Sequence, residues 1–238
     1  ASLPQLAKEL DVSESTIRRD LEYLEKTGAA KRTHGGVLYV GPKPGLPHFE
    51  ERQPDQWVHK QVIAECASKL IEDDDTVLFD GGSTTYEVAR RVVGRRLQVV
   101  TNSLPVANLF ASDANADLVL VGGFVYPRTG VALGPHANAQ LSQIHVRKTI
   151  MSVGGVTEQG MFNSNLLLVE TERAMMAAAE EVIVVADSTK FGHQNLAFLG
   201  RLDEIDRLVV DYEITQDWRD KAVAAGIQLT VAEPTDVG

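Results

Sequence analysis

The sequence is poor in cysteine and in patterns that bind metal ions. Cys66 is the one cysteine among 238 residues, so no intrachain disulfide and no cysteine-based metal site can form. The six histidines never occur at HxxH or HExxH spacing, which argues against a zinc enzyme. We therefore expect no metal site and no cofactor, in a protein suited to a reducing compartment.

Long hydrophobic runs are also missing. No apolar stretch approaches the ~20 residues that a transmembrane helix needs, and no charged-then-apolar leader opens the chain. The expectation is a cytoplasmic protein with no membrane partner. The composition, with 44% hydrophobic and 24% charged residues, is otherwise ordinary for a globular protein longer than one typical domain.

Positive charge is scarce overall but not everywhere. The formal net charge of −10 at first argues against a nucleic-acid partner. Residues 1–38, however, contain six Lys or Arg and six Asp or Glu, so all of the excess acid lies in the rest of the chain. The charge of the N-terminal segment is therefore compatible with DNA binding.

Three prolines within six residues, at positions 42, 44 and 47, divide the sequence. Proline at this density blocks helix and sheet and favours an extended connector. We predict a small module over residues 1–38, a linker over 39–50 and a larger module over 51–238.

The sequence of the small module predicts two short helices followed by two short strands. LPQLAKEL and SESTIRRDLEYLEKTG both repeat apolar residues at helical spacing, with Ser13 as the expected N-cap of the second helix. AAKRTHGGVLYV then predicts a hairpin that turns at Gly35-Gly36. Two helices with a three-residue connection form a helix-turn-helix, whose second helix enters the major groove when it binds DNA. The alternative is that the two helices only pack together.

The basic and hydroxyl side chains of this module are placed where DNA contacts would be made. Short hydroxyl side chains can hydrogen-bond to base edges or phosphates, and arginine can donate two hydrogen bonds to guanine or bind a phosphate. The candidates are Ser15, Thr16, Arg18 and Arg19 on the second helix and Lys31, Arg32, Thr33 and His34 at the hairpin.

The larger module alternates strands and helices after one long helix over 56–71. The strands are expected at 76–79, 97–100, 118–121, 148–153, 182–186, 207–210 and 227–231, with helices at 84–93, 104–112, 166–180 and 216–225. Such alternation predicts an α/β fold with a parallel sheet covered on both faces. GGFVYPRTGVALG is expected to form an additional hairpin.

VLFDGGSTTYEVARRV runs from a strand through two glycines and three hydroxyls into a helix. Gly81 and Gly82 allow close approach of the backbone to an anion, and Ser83, Thr84 and Thr85 offer N–H groups and hydroxyls at a helix N-terminus. The pattern matches neither the dinucleotide fingerprint nor the Walker loop. It predicts a phosphate site for another ligand, although such a turn can also be no more than a well-capped helix.

Other expected strands also end in polar residues or glycine pairs. Thr101, Asn102 and Ser103 follow one strand, and Asp187 and Lys190 follow another. Because parallel strands gather their carboxyl ends at one edge of the sheet, these turns should meet there. Lys190 could neutralise a phosphate, or it could lie on a solvated loop.

LAKELDVSESTIRRDLEYLEKTGAAKRTHGGV closely resembles the winged helix of the DeoR family of bacterial transcriptional regulators. The resemblance implies that residues 13–19 form the recognition helix and 31–36 the wing, which adds Ser13 and Gly35 to the DNA-contacting set. Members of the family usually carry one further helix before LPQLA, so the winged helix-turn-helix is expected to lack its first helix here.

Residues 51–238 resemble the effector domain of the same family, best in LFDGGSTT, VVTNS, VGGVTEQGMFNSNLLLVETERAM and VVADSTKFG. That domain is similar in fold to ribose-5-phosphate isomerase, a doubly wound and mainly parallel sheet. The resemblance implies that the phosphate of a sugar phosphate contacts Gly82, Ser83, Thr84, Thr85 and Lys190, and that Asn102, Gly123, Gly155 and Glu170 surround the sugar. Asp80 is included in this set. Glu170 could instead be an exposed carboxylate paired with Arg173.

Three functions are compatible with these features. The first is a repressor of sugar-metabolism genes whose operator binding responds to a phosphorylated sugar, acting as a homodimer or homotetramer. The second is a sugar-phosphate isomerase or deaminase using Asp80, Asp187 or Glu170 as a base. The third is an oligomer with no ligand. The attached DNA-binding module favours the first, with operator DNA and a sugar phosphate as partners and no catalytic residue.

Overall fold

The structure is a computed structural model that describes residues 12–26, 30–33, 36–39 and 48–234, with side-chain environments for 12–22 and 48–234. The expected helix over LPQLAKEL and the hairpin residues His34 and Gly35 lie outside the described residues. The chain divides into two units, Ala1–Pro47 and His48–Gly238, at a point inside the expected linker.

In the N-terminal unit, helix α1 (Glu14–Lys26) is followed by strands β1 (Ala30–Thr33) and β2 (Gly36–Tyr39). The strands pair antiparallel, with Ala30 opposite Tyr39 and Thr33 opposite Gly36. Ile17 and Leu21 are buried on one face of α1, as the helical spacing of apolar residues predicts.

The second unit is built on a seven-stranded sheet in which every neighbouring pair is parallel. Its strands are β3 Thr76–Phe79, β4 Leu97–Thr101, β5 Ala116–Leu120, β8 Val146–Met151, β11 Ala179–Ala186, β13 Arg207–Asp211 and β14 Gln228–Ala232. Their order in the sheet is β14-β13-β11-β8-β3-β4-β5. The predicted α/β class and parallel sheet are confirmed.

Helices cover both faces because successive side chains of each strand point to opposite sides. Val77 and Phe79 of β3 join one apolar cluster with Ile63 and Val88, whereas Leu78 joins another with Leu141 and Met175. The helices are α2 Phe49–Arg52, α3 Trp57–Ser68, α4 Ser83–Arg91, α5 Leu104–Phe110, α6 Pro135–Leu141, α7 Leu166–Ala177 and α8 Gln216–Ala224. Within the described ranges, no helix combines the length and apolar character that crossing a membrane requires.

The second unit also contains two smaller antiparallel sheets. The expected hairpin is present as β6 (Phe124–Tyr126) and β7 (Val131–Leu133). A three-stranded sheet of β9 (Gly155–Thr157), β10 (Gly160–Asn163) and β12 (Ala197–Gly200) was not anticipated, because its third strand comes from far downstream. Helix α2 begins inside the expected linker, where the buried Phe49 donates its N–H to the carbonyl of Arg128 at 2.8 Å.

Candidate ligand-binding site and DNA-contacting surface

The strand order reverses between β3 and β8. The chain runs from β3 outward through β4 to β5, and later from β8 outward through β11 and β13 to β14. In open parallel sheets, ligands bind beyond the carboxyl ends of the strands at such a switch point. The turn of Asp80 to Gly82 follows β3, and Ser152 follows β8, so both turns lie at this point.

The turn after β3 leads into α4 without a capping side chain. Gly82 is the N-cap and accepts only through its backbone, from the N–H of Tyr86 at 2.9 Å. The N–H groups of Ser83, Thr84 and Thr85 therefore have no acceptor within the helix. All three side chains are buried, and Thr85 Oγ1 has no hydrogen-bond partner. This helix start can bind an anion.

The two glycines of this turn are required by close packing. A Cβ on Gly82 would lie 1.8 Å from Ser152 Oγ, and one on Gly81 would lie 1.9 Å from a methyl of Val131. Neither glycine has a positive φ. Gly82 therefore lets the turn after β3 approach the turn after β8 closely, and Gly81 lets it approach β7.

Hydrogen-bonding capacity is left unused at this edge of the sheet. Among the described residues, five carry a buried side-chain nitrogen or oxygen atom without a hydrogen-bond partner. They are Arg52, Thr85, Asn102, Glu172 and Asp187. Thr85, Asn102 and Asp187 follow the carboxyl ends of β3, β4 and β11, whereas Arg52 and Glu172 interact electrostatically with Asp80. An unpartnered buried polar group costs roughly 1–3 kcal/mol, so a cluster of them is a strong indication of a binding site.

Three cations border the cluster. Burial lowers the pKa of the Arg52 guanidinium, and the nearby Asp80 carboxylate opposes that change. Lys60 is 3% exposed and donates from Nζ to the carbonyls of Arg52 and Asp55, which fixes the turn that carries Arg52. Lys190 Nζ forms an ion pair with Asp187 Oδ2 at 3.5 Å without making a hydrogen bond to it, and the Lys190 side chain is 31% exposed.

Two buried carboxyl groups of the site, Asp80 and Glu172, interact electrostatically. Asp80 Oδ2 accepts from the N–H and the hydroxyl of Ser152, both at 3.4 Å. Burial raises the pKa of Asp80, against the opposing effects of the Gly81 and Ser152 N–H groups and the Arg52 charge. Burial raises the pKa of Glu172 well above its usual range, and the charge of Asp80 raises it further. The site thus contains acid groups of unequal tendency to ionise.

Most of the residues expected at the effector site meet at this edge. These residues all follow the carboxyl ends of β3, β4 and β11, and they are Asp80, Gly82, Ser83, Thr84, Thr85, Asn102 and Lys190. Gly155 is buried in β9, where a Cβ would lie 2.2 Å from the carbonyl of His193. Gly123 is exposed and packs against the backbone of Leu133, so the structure does not bring it into the cluster.

Glu170 is exposed, and the carboxyl group that enters the cluster belongs to Glu172, two residues further along α7. The alternative pairing of Glu170 with Arg173 is not seen, because Arg173 donates to the carbonyls of Phe198 and Leu199 at 2.7 Å. Arg52 and Lys60 were missed as well. Arg52 directly follows the proline-rich segment, and no motif singled it out.

One group of described residues has the composition of a metal site. His59, Asp211 and Glu213 offer ligand atoms within 4.8 Å of one another. Asp211, however, accepts from the N–H groups of Ser188 at 2.6 Å and Glu213 at 3.0 Å, and His59 Nδ1 is 2.7 Å from Gln56 Oε1. The group is therefore explained as a polar network that holds the turn before Lys190.

The N-terminal unit presents the expected DNA-contacting residues on α1. Ser13 Oγ is 2.7 Å from Ser15 Oγ and 2.9 Å from Thr16 Oγ1, and it accepts the N–H of Thr16 at 3.2 Å, so it caps the helix. Arg18 and Arg19 are exposed and line one shallow depression with Ser15 and Glu22. The backbones of Lys31, Arg32 and Thr33 lie in β1.

Family models match both parts of the chain. The DeoR-like helix-turn-helix domain matches residues 1–43, and the DeoR C-terminal sensor domain matches residues 55–212. The chain is 31% identical over 208 residues to the uncharacterised HTH-type transcriptional regulator YulB of Bacillus subtilis, covering 87% of this chain and 81% of that protein. It is 29% identical to the HTH-type transcriptional repressor GlcR of the same organism, covering 96% and 89%.

Among solved structures, ribose 5-phosphate isomerase A from Neisseria gonorrhoeae is 17% identical, with a TM-score of 0.41 over 56% of this chain and 52% of that one. The family models and the relatives carry the assignment, since together they span both units. The chain therefore belongs to the DeoR family of transcriptional regulators.

Proposed function

We propose that this protein is a repressor of sugar-metabolism genes whose operator binding is modulated by a phosphorylated sugar. The observation that carries the proposal is the cluster of buried polar atoms with unused hydrogen-bonding capacity beside the uncapped start of α4. The sensor-domain description of the family and the repressor name of one relative support it.

The phosphate of the ligand would lie at the start of α4. The free N–H groups of Ser83, Thr84 and Thr85 and the helix dipole favour a dianion there. Lys190 supplies a flexible positive charge, and Arg52 supplies a fork of donors suited to phosphate oxygens. Two nitrogen atoms of Arg52 are buried without a partner, so a phosphate would satisfy donors that the protein does not.

DNA binding would be the output of this site. Arg18 and Arg19, exposed on α1, are the main candidates for contacts with bases and phosphates. A homodimer or homotetramer would match the two-fold symmetry of an operator. The ligand can shift operator affinity only if it binds the DNA-bound and the free conformations with different affinity.

The competing function is a sugar-phosphate isomerase or deaminase. The buried acids Asp80 and Glu172 favour this reading, because a carboxyl group can move a proton between neighbouring carbons. Turnover of pentose or hexose phosphates above background by the purified protein would favour the enzyme. We expect none, since the proposed role of the site is recognition.

An operator-release assay tests the proposal. The full chain is bound to its operator and challenged with a panel of sugar phosphates, and release of DNA is measured. We expect Lys190→Ala and Thr84→Val to bind operator normally but to lose the response by tenfold or more, since each loses phosphate contacts of about 1.5–3 kcal/mol. Arg18→Ala should lose operator affinity and keep the ligand-induced rise in melting temperature.

Lys69→Ala is the matched control, because Lys69 is an exposed lysine at the end of α3 that, among the described residues, forms an ion pair only with Glu65. It should behave like the parent protein. If Lys190→Ala responds to the sugar phosphates as the control does, the phosphate assignment is wrong.

A further inference from the structure

We propose that an uncharged hydroxyl group of the ligand is held between Asp80 and Glu172, with Glu172 as the hydrogen-bond donor. The site would accordingly reject phosphorylated compounds that carry a second negative charge in place of that hydroxyl group. This inference rests on the proposed function and specifies the class of ligand.

The orientation of Glu172 is fixed by one neighbour. Glu172 is 1% exposed, and its Oε1 accepts from Asn163 Nδ2 at 2.6 Å. The other end of that amide, Asn163 Oδ1, accepts the N–H of Ser164 at 3.3 Å, so the nitrogen must face Glu172. Because the amide can only donate to Oε1, the proton of a neutral Glu172 resides on Oε2.

Glu172 Oε2 is the atom that remains for a ligand. It is buried and has no hydrogen-bond partner. Within the described part of the chain, no cation forms an ion pair with Glu172, and the charge that acts on it is the carboxylate of Asp80. Burial and this neighbouring charge raise the pKa of Glu172, and the Asn163 bond opposes them only in part. A carboxyl group kept neutral in this way acts as a donor.

Asp80 provides the complementary acceptor. Its carboxylate interacts with Arg52 and accepts from Ser152 through Oδ2. A ligand hydroxyl can accept from Glu172 and donate to Asp80 at the same time, because it carries both functions. A carboxylate or second phosphate would face the charge of Asp80 instead. An ammonium group could not accept from Glu172.

The experiment compares related probes in the full chain. Hexose and pentose monophosphates are each compared with the corresponding bisphosphate, phosphorylated aldonic acid and phosphorylated amino sugar, and with inorganic phosphate. Affinity is measured by calorimetry, and binding is checked by the rise in melting temperature. We expect at least one hydroxylated monophosphate to bind about tenfold or more tightly than its acidic counterparts, in line with the cost of an unpaired buried group.

Three variants test the donor role. Glu172→Gln keeps a donor and should retain the monophosphate within about threefold, whereas Glu172→Leu should lose tenfold or more. Glu170→Gln is the matched control on the exposed face of the same helix. In the parent protein, the affinity for the monophosphate should fall as the pH rises and Glu172 ionises, while the Glu172→Gln variant should lack that fall.

The outcomes distinguish failure of the proposed function from failure of the inference about the hydroxyl group. If neither inorganic phosphate nor any sugar phosphate binds, the proposed function fails and this inference fails with it. If phosphate binds but the acidic or amino probes bind as tightly as the hydroxylated one, only the inference is overturned. If Glu172→Leu does not fold, equal pH profiles for the parent and Glu172→Gln would overturn it.

Discussion

Replacing Gly82 by alanine tests the close packing between the turns after β3 and β8. The new Cβ would lie 1.8 Å from Ser152 Oγ, 2.7 Å from Ser152 Cβ and 3.2 Å from Thr85 Oγ1. Rotation of the Ser152 hydroxyl relieves the first contact but not the second, because Cβ is fixed by the backbone. One of the two turns must therefore move.

The expected loss of stability is about 1–3 kcal/mol, the usual range for overpacking a closely packed site. Alanine is also a poorer N-cap than glycine, which adds to the loss. Each kcal/mol corresponds to a change of roughly 2–4 °C in melting temperature for a domain of this size. The free energy of unfolding is measured by urea titration and the melting temperature by calorimetry.

Gly122→Ala is the control for this substitution. Its Cβ would meet only Gln140 Nε2 at an ordinary 3.7 Å, and Gly122 has no positive φ. A change within about 0.5 kcal/mol is expected, as for other substitutions without a structural conflict. The double variant Gly82→Ala with Ser152→Gly should recover part of the loss, giving a coupling energy of about 0.5–3 kcal/mol. Equal stabilities for Gly82→Ala and Gly122→Ala, or no coupling to Ser152, would refute the packing argument.

Two further predictions concern buried charges. Lys148 Nζ is 2.7 Å from Asp75 Oδ2, and both side chains are buried. Burial by itself would raise the pKa of Asp75, but the hydrogen bonds from Lys148 and Glu72 and the charge of Arg147 lower it overall. The Lys148–Asp75 pair therefore stabilises the fold above the unfolded-state pKa of about 4. This stabilisation is lost as the pH falls through the folded-state pKa of Asp75. Lys148→Met should therefore cost about 1–3 kcal/mol at neutral pH, since Arg147 still pairs with Asp75 at 2.9 Å, and less after acidification. A loss that does not depend on pH in urea unfolding would contradict the assignment. The raised pKa of Glu172 has the opposite effect, because stability should fall as the pH rises from the unfolded-state pKa to the folded-state pKa. In calorimetric melting without ligand, Glu172→Gln should make that fall smaller, whereas Glu170→Gln should leave it unchanged.

The sequence by itself was enough to predict the framework of the proposed ligand site. Strand and helix periods alternate clearly, so the parallel sheet and most of its strands could be assigned before their neighbours were known. Because parallel strands end at one edge, the polar turns at Asp80, Asn102 and Lys190 could also be predicted to meet there. These conclusions depend on local patterns and on a general rule of sheet geometry.

Tertiary packing decided which side chains of α7 point into the proposed site. Four consecutive apolar residues open α7 and leave its buried face ambiguous in the sequence. Packing selects the line of Leu168, Glu172 and Met175, spaced as one helical face, and Leu166 and Leu167 stay exposed. This choice turns Glu172 inward and Glu170 outward.

Arg52 and strand β12 needed the complete fold for the same physical reason. Arg52 interacts electrostatically with Asp80 because two contacts hold α2 in place. These are the burial of Phe49 and the hydrogen bond from Lys60 to the Arg52 carbonyl. Strand β12 pairs with β10 across more than thirty residues of chain (roughly six times a typical connection). Local periodicity determined which segments became strands and helices, whereas long-range packing decided which side chains reached the proposed ligand site.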